Sequence, residues 1–269
     1  MHQVGNRAPD QPSSYRIYDY LLGGSFNLEV DREFARQLLT RVPWASDVAR
    51  ANRAFLVRAV RFAVSRGIRQ FLDLGSGIVA ASRVDRVAQE LDANCRVAYV
   101  DSDPIAVAHA EVMTAGDRRS SATLADLRDV PAVLAERTVA GVLDFGRPVG
   151  VLMAKVVHMI PDEDKPADIV AGYRDAVPAG SMLAITHATM DDVPGEALRA
   201  APMWRNSAEG MHDRPHATIE SFLAGWDVVE PGLVFTSEWR PDEDESTPAA
   251  PADPGWSVFL AAVGVKPGR

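Results

Sequence analysis

The stretch Gln70-Phe71-Leu72-Asp73-Leu74-Gly75-Ser76-Gly77 decides the fold, because an apolar run ends in an acid and two glycines one residue apart. An apolar run of this kind is typical of a buried parallel strand. The glycines let the backbone turn tightly and approach a ligand with no Cβ in the way, while Asp73 stands at the carboxyl end of the strand. The stretch therefore predicts a strand and a nucleotide-binding loop that holds an adenosine-type cofactor.

Outside this stretch, the chain has a helical N-terminal part followed by alternating strand-like and helix-like segments. That order is typical of an α/β sandwich around a mostly parallel sheet. The N-terminal part carries an apolar stripe at helical spacing over residues 48–62, and Gly67 is placed to end that helix. Asn52 lies beside the stripe, where a buried amide needs hydrogen-bond partners.

Seven strands are predicted, at 69–74, 96–100, 122–125, 149–153, 182–186, 232–237 and 257–263, with helices at 80–91, from Pro104 onward and at 162–173. The last two strands follow each other without a helix, which predicts an antiparallel pair at the sheet edge. The segment 240–255 between them is rich in Pro, Asp and Glu and predicts a mobile linker. We divide the chain into an N-terminal helical lid and cap, 1–66, and a core, 67–269, within one domain.

The composition, with 47% hydrophobic and 24% charged residues and a net charge of −9 over 269 residues, fits one sizeable soluble domain. Nucleic acid is not expected as a partner, because the chain lacks a basic excess. The single cysteine, Cys95, excludes a disulfide framework and a cysteine-based zinc site, and we predict no metal ligands. The first seven residues have no apolar core for export, and no apolar run approaches the roughly 20 residues of a membrane span. We therefore expect a cytoplasmic protein that does not enter membranes.

Three acids follow three successive predicted strands: Asp73, Asp101 and Asp126. The carboxyl ends of parallel strands share one edge of the sheet, where such folds bind ligands. Asp101 comes 26 residues after Gly75, about where an acid accepts hydrogen bonds from both ribose hydroxyls. Asp103 is better placed to cap the next helix. The three acids together predict an adenosine site more specifically than any one of them.

Two kinds of cofactor contain this adenosine. Residues 75–80 match the GxGxxA fingerprint, so an NAD-dependent oxidoreductase is one alternative. An acid two residues before the first glycine is instead typical of class I methyltransferases, since NAD-binding strands usually run apolar into the loop. Asp73 therefore favours S-adenosylmethionine. In the methyltransferase arrangement, Asp126 accepts from the adenine amino group and the backbone N–H of Leu127 meets the ring.

The N-terminal segment around Tyr15, Arg16 and Tyr18 combines aromatic faces with a cation before the glycine pair at 23–24. An arginine can clamp a carboxylate with two hydrogen bonds, and a tyrosine offers a stacking surface and a hydroxyl. This pattern predicts a segment that closes over the cofactor. A lid helix that simply packs on the sheet explains it equally well.

His158 follows the fourth predicted strand and His187 ends the fifth. Methyl transfer to oxygen or nitrogen often benefits from a base that removes a proton, so both are candidate catalytic residues. The alternative for each is a histidine hydrogen-bonded within the fold.

Nearly end to end, the chain resembles a family known from actinobacteria, the S-adenosylmethionine-dependent methyltransferases first catalogued as a domain of unknown function. The motifs that carry the resemblance are Tyr15-Arg16-Ile17-Tyr18-Asp19-Tyr20-Leu21-Leu22-Gly23-Gly24 with Asn27 and Asp31-Arg32, Arg50-Ala51-Asn52-Arg53-Ala54-Phe55-Leu56, Gly67-Ile68-Arg69-Gln70-Phe71-Leu72-Asp73, Tyr99-Val100-Asp101 with Asp103-Pro104, Ala125-Asp126-Leu127-Arg128, His158 with Pro161-Asp162, and Gly180 through His187-Ala188-Thr189. The N-terminal motif is the specific one, because no general nucleotide fold requires it.

The resemblance implies a Rossmann-like class I methyltransferase sandwich: a seven-stranded, mostly parallel sheet with one antiparallel edge strand and an N-terminal helical extension. It implies an enzyme that uses S-adenosyl-L-methionine and releases S-adenosyl-L-homocysteine, and we expect a small-molecule methyl acceptor. The predicted cofactor-binding residues are Tyr15, Arg16, Tyr18, Asp73, Gly75, Ser76, Gly77, Asp101, Ser102, Asp126 and Leu127, and the predicted catalytic residues are His158 and His187.

The loop after Gly77 departs from the family pattern. That pattern resembles Gly-x-Gly-Leu-Pro-Thr followed by an Asn and a His, whereas this chain has Ile78-Val79-Ala80 and later Arg83 and Asp85. Contacts from a proline and a hydroxyl to the methionine end of the cofactor cannot be carried over to Val79 and Ala80. A catalytically impaired sensor or scaffold that binds S-adenosylmethionine is therefore the second alternative.

Overall fold

One eight-stranded sheet organises the part of the chain that the computed structural model describes, residues 11–78, 83–205, 210–242 and 254–268. Its strands are Gln70–Leu74 (β1), Arg96–Asp101 (β2), Ser120–Leu124 (β3), Gly150–Ala154 (β4), Met182–Ala188 (β5), Asp227–Val228 (β6), Val234–Phe235 (β7) and Phe259–Val265 (β8). Their order is β3-β2-β1-β4-β5-β8-β6, with β7 also paired to β8. Strands β1 to β5 pair in parallel, and β8 runs antiparallel to β5.

The predicted α/β class, the mostly parallel sheet and the antiparallel pairing at its edge are confirmed, but the strand count differs. The described residues form eight strands rather than seven, because the two-residue strand β6 carries no periodic pattern. The last two predicted strands pair antiparallel as β7 and β8, and β8 itself lies between β5 on one side and β6 and β7 on the other. Every residue of β8 except the last is buried, so its unbroken apolar run is that of an internal strand. The predicted strand 232–237 shortens to β7, and the predicted strand 122–125 lies at 120–124.

The described helices are Ser14–Leu21 (α1), Glu29–Arg41 (α2), Ala45–Ser65 (α3), Val84–Leu91 (α4), Pro104–Thr114 (α5), Val130–Ala135 (α6), Arg137–Ala140 (α7), Pro166–Ala176 (α8), Gly195–Arg205 (α9) and His216–Ser221 (α10), with 3-10 turns at Val157–Met159, Asp162–Asp164 and Pro254–Ser257. The predicted helix 162–173 is divided, because Lys165 has a left-handed φ of 52° between the 3-10 turn and α8. The residue before a proline avoids the α region, which explains the break. Residues 80–82 of the predicted helix 80–91, and 243–253 of the predicted mobile linker, lie outside the described residues.

Helices cover both faces of the sheet. On β1, Leu72 and Leu74 face an apolar cluster that includes residues of α6, α7 and α8, and Phe71 faces a second cluster with α3 and α4. Side chains alternate along a strand, so Asp73 lies on the same face as Phe71, toward α3. This placement brings the acid of the opening stretch next to the helix that carries Asn52.

Helices α1, α2 and α9 pack with the first turns of α3 into a cap. Its buried cluster includes Ile17, Leu38, Ala45 and Ala200. The later turns of α3, from Phe55 to Val64, belong instead to the core beneath the sheet. Helix α3 thereby fixes the cap to the sheet, and the division of the chain at residues 66 and 67 stays a prediction. In the described parts of the chain, no helix combines the length and the apolar character needed to cross a bilayer.

Candidate functional site

A cleft opens at the carboxyl ends of β1 to β4, between the sheet and helices α1 and α3. The residues lining it come from the loops that follow these four strands and from the two helices, and among them are Tyr15, Tyr18, Asn52, Arg53, Asp73, Gly75, Ser76, Gly77, Ile78, Asp101, Ser102, Asp126, Leu127 and Lys155. Ten of the eleven predicted cofactor-binding residues line it; the exception is Arg16. The parallel topology explains why strand-end residues far apart in sequence share one edge.

The glycine loop after β1 fits the close approach that the sequence predicts. Gly75 and Gly77 have φ values of 70° and 59°, a region that side chains with a Cβ rarely adopt. A Cβ on Gly75 would lie 2.2 Å from Cγ2 of Val156, so only glycine fits there. The backbone N–H of Gly75 donates to the carbonyl of Val100 at 2.8 Å, which ties the loop to β2.

Asp101 links the loops after β1 and β2. Its Oδ2 accepts from the backbone N–H of Gly77 at 2.8 Å, and its Oδ1 accepts from that of Asp103 at 2.9 Å. Asp103 in turn accepts from the N–H of Ile105 at 2.8 Å and caps α5, as its position in the sequence predicts. Asp101 therefore stands in the cleft with its carboxylate oriented by two backbone donors.

Asp126 stands at the third strand end, in a charged pair that the sequence did not predict. Arg128 binds both of its carboxylate oxygens, with an Nη2 to Oδ2 distance of 2.6 Å, and also reaches Asp164 at 2.6 Å. The carbonyl of Leu127 accepts from the Tyr173 hydroxyl at 2.9 Å. These contacts fix the loop after β3 at the cleft wall.

Asp73 lies at the floor of the cleft with only 5% of its surface exposed. Burial raises the pKa of its carboxyl to about 7; the charge of Arg53 opposes this shift and that of Asp101 adds to it. Asn52 is also buried in the cleft wall, and no described residue donates a hydrogen bond to its Oδ1. A buried acceptor without a partner is uncommon, and Asn52 and Asp73 both line this cleft.

Helix α1 brings its two predicted tyrosines to the cleft. Tyr15 packs over the loop: a Cβ on Gly77 would lie 3.4 Å from the Tyr15 Cβ. Burial, reinforced by the charge of Asp103, raises the pKa of the Tyr15 hydroxyl to about 12. The Tyr18 hydroxyl donates to the carbonyl of Ala49 at 3.0 Å and accepts from Nδ2 of Asn52 at 2.9 Å. The Nδ2 of the Asn52 amide therefore has a hydrogen-bond partner, whereas its Oδ1 has none among the described residues.

Arg16, predicted to clamp a carboxylate of the cofactor, does not line the cleft. It is buried, and its Nε donates to Oδ2 of Asp31 at 2.6 Å. Asp31 is fully buried and also accepts from the backbone N–H groups of Ser13 and Leu28, so it needs a cation beside it. The Arg16 guanidinium therefore belongs to a structural ion pair with Asp31 and is not placed in the cleft.

The cations that do line the cleft are Arg53 and Lys155. The sequence did not single out Arg53, because it falls on the opposite side of α3 from the apolar stripe. The one indication in the sequence that Arg53 could belong to the site was its position in the Arg50 to Leu56 motif. Lys155 follows β4 with a left-handed φ of 59°, and its Nζ lies 5.1 Å from the centre of the Tyr18 ring.

The two candidate catalytic histidines are both buried and differ in what they contact. His187 has both ring nitrogens engaged: Nδ1 lies 2.8 Å from the carbonyl of Ala188, and Nε2 lies 2.9 Å from Nη1 of Arg214. Since the arginine can only donate, Nε2 accepts and the proton is on Nδ1. Burial lowers the pKa of His187 to about 4, so the ring is neutral near pH 7. This geometry favours a structural role, and its catalytic role stays a prediction.

His158 lines a second, apolar cavity that adjoins the cleft and lies beneath the cap. The two spaces share Ser14, Tyr18, Lys155 and Met159. The walls of the second cavity come from α2, α3, α9 and the segments next to β5 and β8. A ligand in the cleft and a ligand in the cavity would meet at Tyr18 and Lys155.

The departure from the family loop has a structural counterpart at Arg83 and Asp85. These side chains form a buried ion pair, with Nε of Arg83 3.0 Å from Oδ1 of Asp85, and the hydroxyl of Tyr99 donates to the same oxygen at 2.8 Å. Ile78 lines the cleft. Val79 and Ala80, where the prediction of impaired catalysis was centred, lie outside the described residues.

The family model and the similar solved structures agree in pointing to S-adenosyl methyltransferases. The chain matches the family described as S-adenosyl methyltransferase over residues 6–267. It is similar to the crystal structure of a putative methyltransferase from Thermobifida fusca YX, with 34% identity over 96% of each chain and a TM-score of 0.88. It is also similar to a DUF574 family protein from Streptomyces avermitilis MA-4680, with 32% identity over 96% of this chain and 99% of that one and a TM-score of 0.90.

More distant matches bear on the fold alone. Human N-acetylserotonin methyltransferase, solved in complex with SAM, is 12% identical over 96% of this chain and 64% of its own, with a TM-score of 0.51. No match was found among curated proteins. Nothing in these comparisons supports the oxidoreductase or the impaired-catalyst alternative.

Proposed function

The chain belongs to the S-adenosyl methyltransferase family, and from that premise we propose that it methylates a small-molecule acceptor. Membership confirms the resemblance seen in the sequence and the use of S-adenosylmethionine by an enzyme of this class. When bound, that cofactor supplies an electrophilic methyl group on a positively charged sulfur. The observation that carries the proposal is the junction of an acid-lined cleft with an apolar cavity at Tyr18 and Lys155.

The residues of the cleft fit this cofactor group by group. Asp101 would accept from the ribose hydroxyls, and Asp126 with the backbone of Leu127 would meet the adenine. The unpaired Oδ1 of Asn52 and the carboxyl of Asp73 suit the ammonium of the methionine part, because an ammonium offers only donors. The carboxylate of that part would pair with Arg53.

The contribution of the protein would be placement and exclusion of water rather than activation of the methyl group. Tyr15 covers the glycine loop from the cap side, and Tyr18 separates the cleft from the cavity. Holding two reactants in a reactive geometry is worth up to about 7 to 11 kcal/mol of barrier. An apolar cavity beneath a helical cap suits a small molecule, and the net charge of −9 argues against a nucleic-acid acceptor.

The role of Asp101 is tested by isothermal titration calorimetry with S-adenosylhomocysteine. We expect Asp101→Ala to weaken binding by about 1 to 3 kcal/mol, because donors on the ligand lose their partner. Asp101→Asn keeps one acceptor oxygen, so its affinity for S-adenosylhomocysteine should lie between those of Asp101→Ala and the native protein.

Asp168→Ala is the matched control, since Asp168 is exposed on α8 and does not line the cleft. Its affinity should equal that of the native protein. Equal affinities for Asp101→Ala and Asp168→Ala would remove Asp101 from the site. Binding of NADH in place of S-adenosylhomocysteine would overturn the assignment of the cleft.

A further inference from the structure

The side chains that line the apolar cavity beside the cleft indicate which kind of acceptor it can bind. Apart from Ser14, Tyr18, Lys155 and His158, every residue lining it is a hydrocarbon, thioether or indole side chain. Among the larger ones are Leu38, Met190, Trp204, Met211 and Phe259. A polar or highly charged metabolite would lose its hydration there without replacement, which is unfavourable. The walls therefore select an apolar body.

Two residues of the cavity wall have strained backbones. Lys155 and Val258 have φ values of 59° and 50°, a left-handed conformation that is unfavourable for L residues and especially for a β-branched one. The N–H of Lys155 donates to Oγ1 of Thr186 at 2.8 Å, which helps to hold its conformation. Such strain clusters where a site must place particular groups. Here it places the lysine at the junction with the cleft.

His158 is the buried polar group of the cavity, with 1% of its surface exposed. Its Nδ1 accepts from the backbone N–H of Ala188 at 3.4 Å, and burial lowers the pKa of the ring well below its usual value, so the ring is neutral. The proton of the neutral ring is then on Nε2. No described residue accepts a hydrogen bond from this N–H. The ring is consequently a donor, and it has no lone pair available to act as a base.

We propose that this cavity binds an apolar acceptor of aromatic size whose reactive atom is a phenol-type oxygen, held by the His158 Nε2–H and the Lys155 ammonium. The inference rests on the proposed function and names the acceptor class for it. Both groups favour an oxygen that bears negative charge, and neither is suited to remove a proton from a neutral amine. The apolar walls hold the ring system, and the two donors turn the oxygen toward the cleft.

Methyl transfer to the phenol needs no base in the cavity, because the phenol proton goes to solvent. The phenol loses its proton to solvent on binding beside the ammonium, which favours the charged form. The phenolate oxygen then forms the bond to the methyl carbon as the bond from that carbon to sulfur breaks, and the electron pair stays on sulfur. His158 keeps its proton throughout, so it is a binding and orienting group.

The experiment is calorimetric titration of phenol, 2-naphthol and 4-phenylphenol into protein saturated with S-adenosylhomocysteine. We expect 2-naphthol or 4-phenylphenol to bind at least tenfold more tightly than phenol, because they fill more of the apolar space. Ala200→Phe and Met190→Trp, which fill the cavity from α9 and from the loop after β5, should each weaken that binding at least tenfold. Leu198→Phe, on the exposed side of α9, is the matched control and should bind as the native protein does.

The donor role of His158 is tested in the same titration. His158→Phe should weaken binding of 2-naphthol about five- to tenfold, and His158→Gln, which keeps an N–H near Nε2, should recover most of it. The affinity for S-adenosylhomocysteine should stay within twofold in all variants, which shows that they are folded.

Two outcomes are distinguished by this design. If S-adenosylhomocysteine fails to bind the native protein, the proposed function fails and the inference falls with it. If it binds but none of the three phenols does, or if the cavity-filling variants bind them as well as Leu198→Phe, the inference alone is overturned.

Discussion

At the scale of single residues, we expect Asp73 to couple cofactor binding to pH. Its carboxyl is raised to a pKa of about 7 because it is buried. Near neutral pH the group is therefore partly protonated in the protein without ligand. A ligand ammonium prefers the carboxylate, so protonation of Asp73 competes with binding.

We expect the affinity for S-adenosylhomocysteine to rise about tenfold between pH 6 and pH 8. The sign follows from linkage: below pH 7 a proton must leave Asp73 before the ammonium can pair with it, and above pH 7 none need leave. Calorimetry at several pH values measures this dependence. Asp73→Asn should bind more weakly and show a flat profile over the same window. A flat profile in the native protein would contradict the role assigned to Asp73.

At the scale of elements, the N-terminal motif both lines the cleft and holds the cap together. Tyr15, Tyr18 and Asp19 line the cleft. Asp19 also accepts from the backbone N–H of Phe26 at 2.8 Å and from Nδ2 of Asn27 at 2.9 Å, closing the turn after α1. Asp31 accepts from the backbone N–H of Leu28 at the start of α2. These contacts of the acids help to position the two tyrosines.

The adjacent glycines of this motif should differ in their sensitivity to substitution. A Cβ on Gly24 would lie 2.1 Å from Oδ1 of Asp19, so Gly24→Ala must displace a carboxylate from its donors, at a cost of about 2 to 3 kcal/mol. Gly23 has a φ of 83° and no atom within 4 Å of an added Cβ, so Gly23→Ala costs only the strain of about 1 kcal/mol. Urea denaturation followed by circular dichroism measures both.

Gly23→Ala also serves as the control for cofactor affinity. It should leave binding of S-adenosylhomocysteine near the native value, and Gly24→Ala should weaken it because Tyr15 and Tyr18 lose their support. Equal losses of stability in the two variants would show that the contact of Asp19 with Gly24 is unimportant.

At the scale of the whole molecule, the cap and the sheet are joined through α3 and through the cleft itself. Helix α1 lies over the loops after β1 and β4, so a ligand in the cleft contacts both layers. Binding must then stabilise the cap against local opening. A ligand at 100 times its dissociation constant stabilises the bound state by about 2.7 kcal/mol.

Hydrogen exchange followed by mass spectrometry tests this coupling. Saturating S-adenosylhomocysteine should slow exchange in Ser14–Leu21, by up to about 100-fold for amides that exchange through opening of the cap. Helix α10, 216–221, contributes no residue to the cleft and is the internal control. Equal protection of both helices would indicate general stabilisation rather than closure of the cap.

The site residues that the sequence placed correctly in the cleft depend on local or topological rules. Asp103 caps α5 because a cap needs only the residues that follow it. Asp73, Asp101 and Asp126 meet because parallel strands all end at one edge of the sheet. The family was recognisable because its motifs are short runs of consecutive residues, several of them at strand ends.

Contacts between distant segments decided the rest. Arg16 and Arg53 are both basic residues on helices, but the folded chain pairs Arg16 with the buried Asp31 and places Arg53 in the wall of the cleft. The edge or interior position of β8 depends on which strands reach its far side. The tautomer of His158 follows from its contact with Ala188, 30 residues away, and that of His187 from its contact with Arg214, 27 residues away.

The sequence by itself determined the strand-end chemistry and so the cofactor, because local geometry and parallel pairing suffice for it. The tertiary structure alone decided which cations, which imidazole and which apolar side chains line the cleft and the cavity, because each of these depends on burial and on partners brought together only by folding.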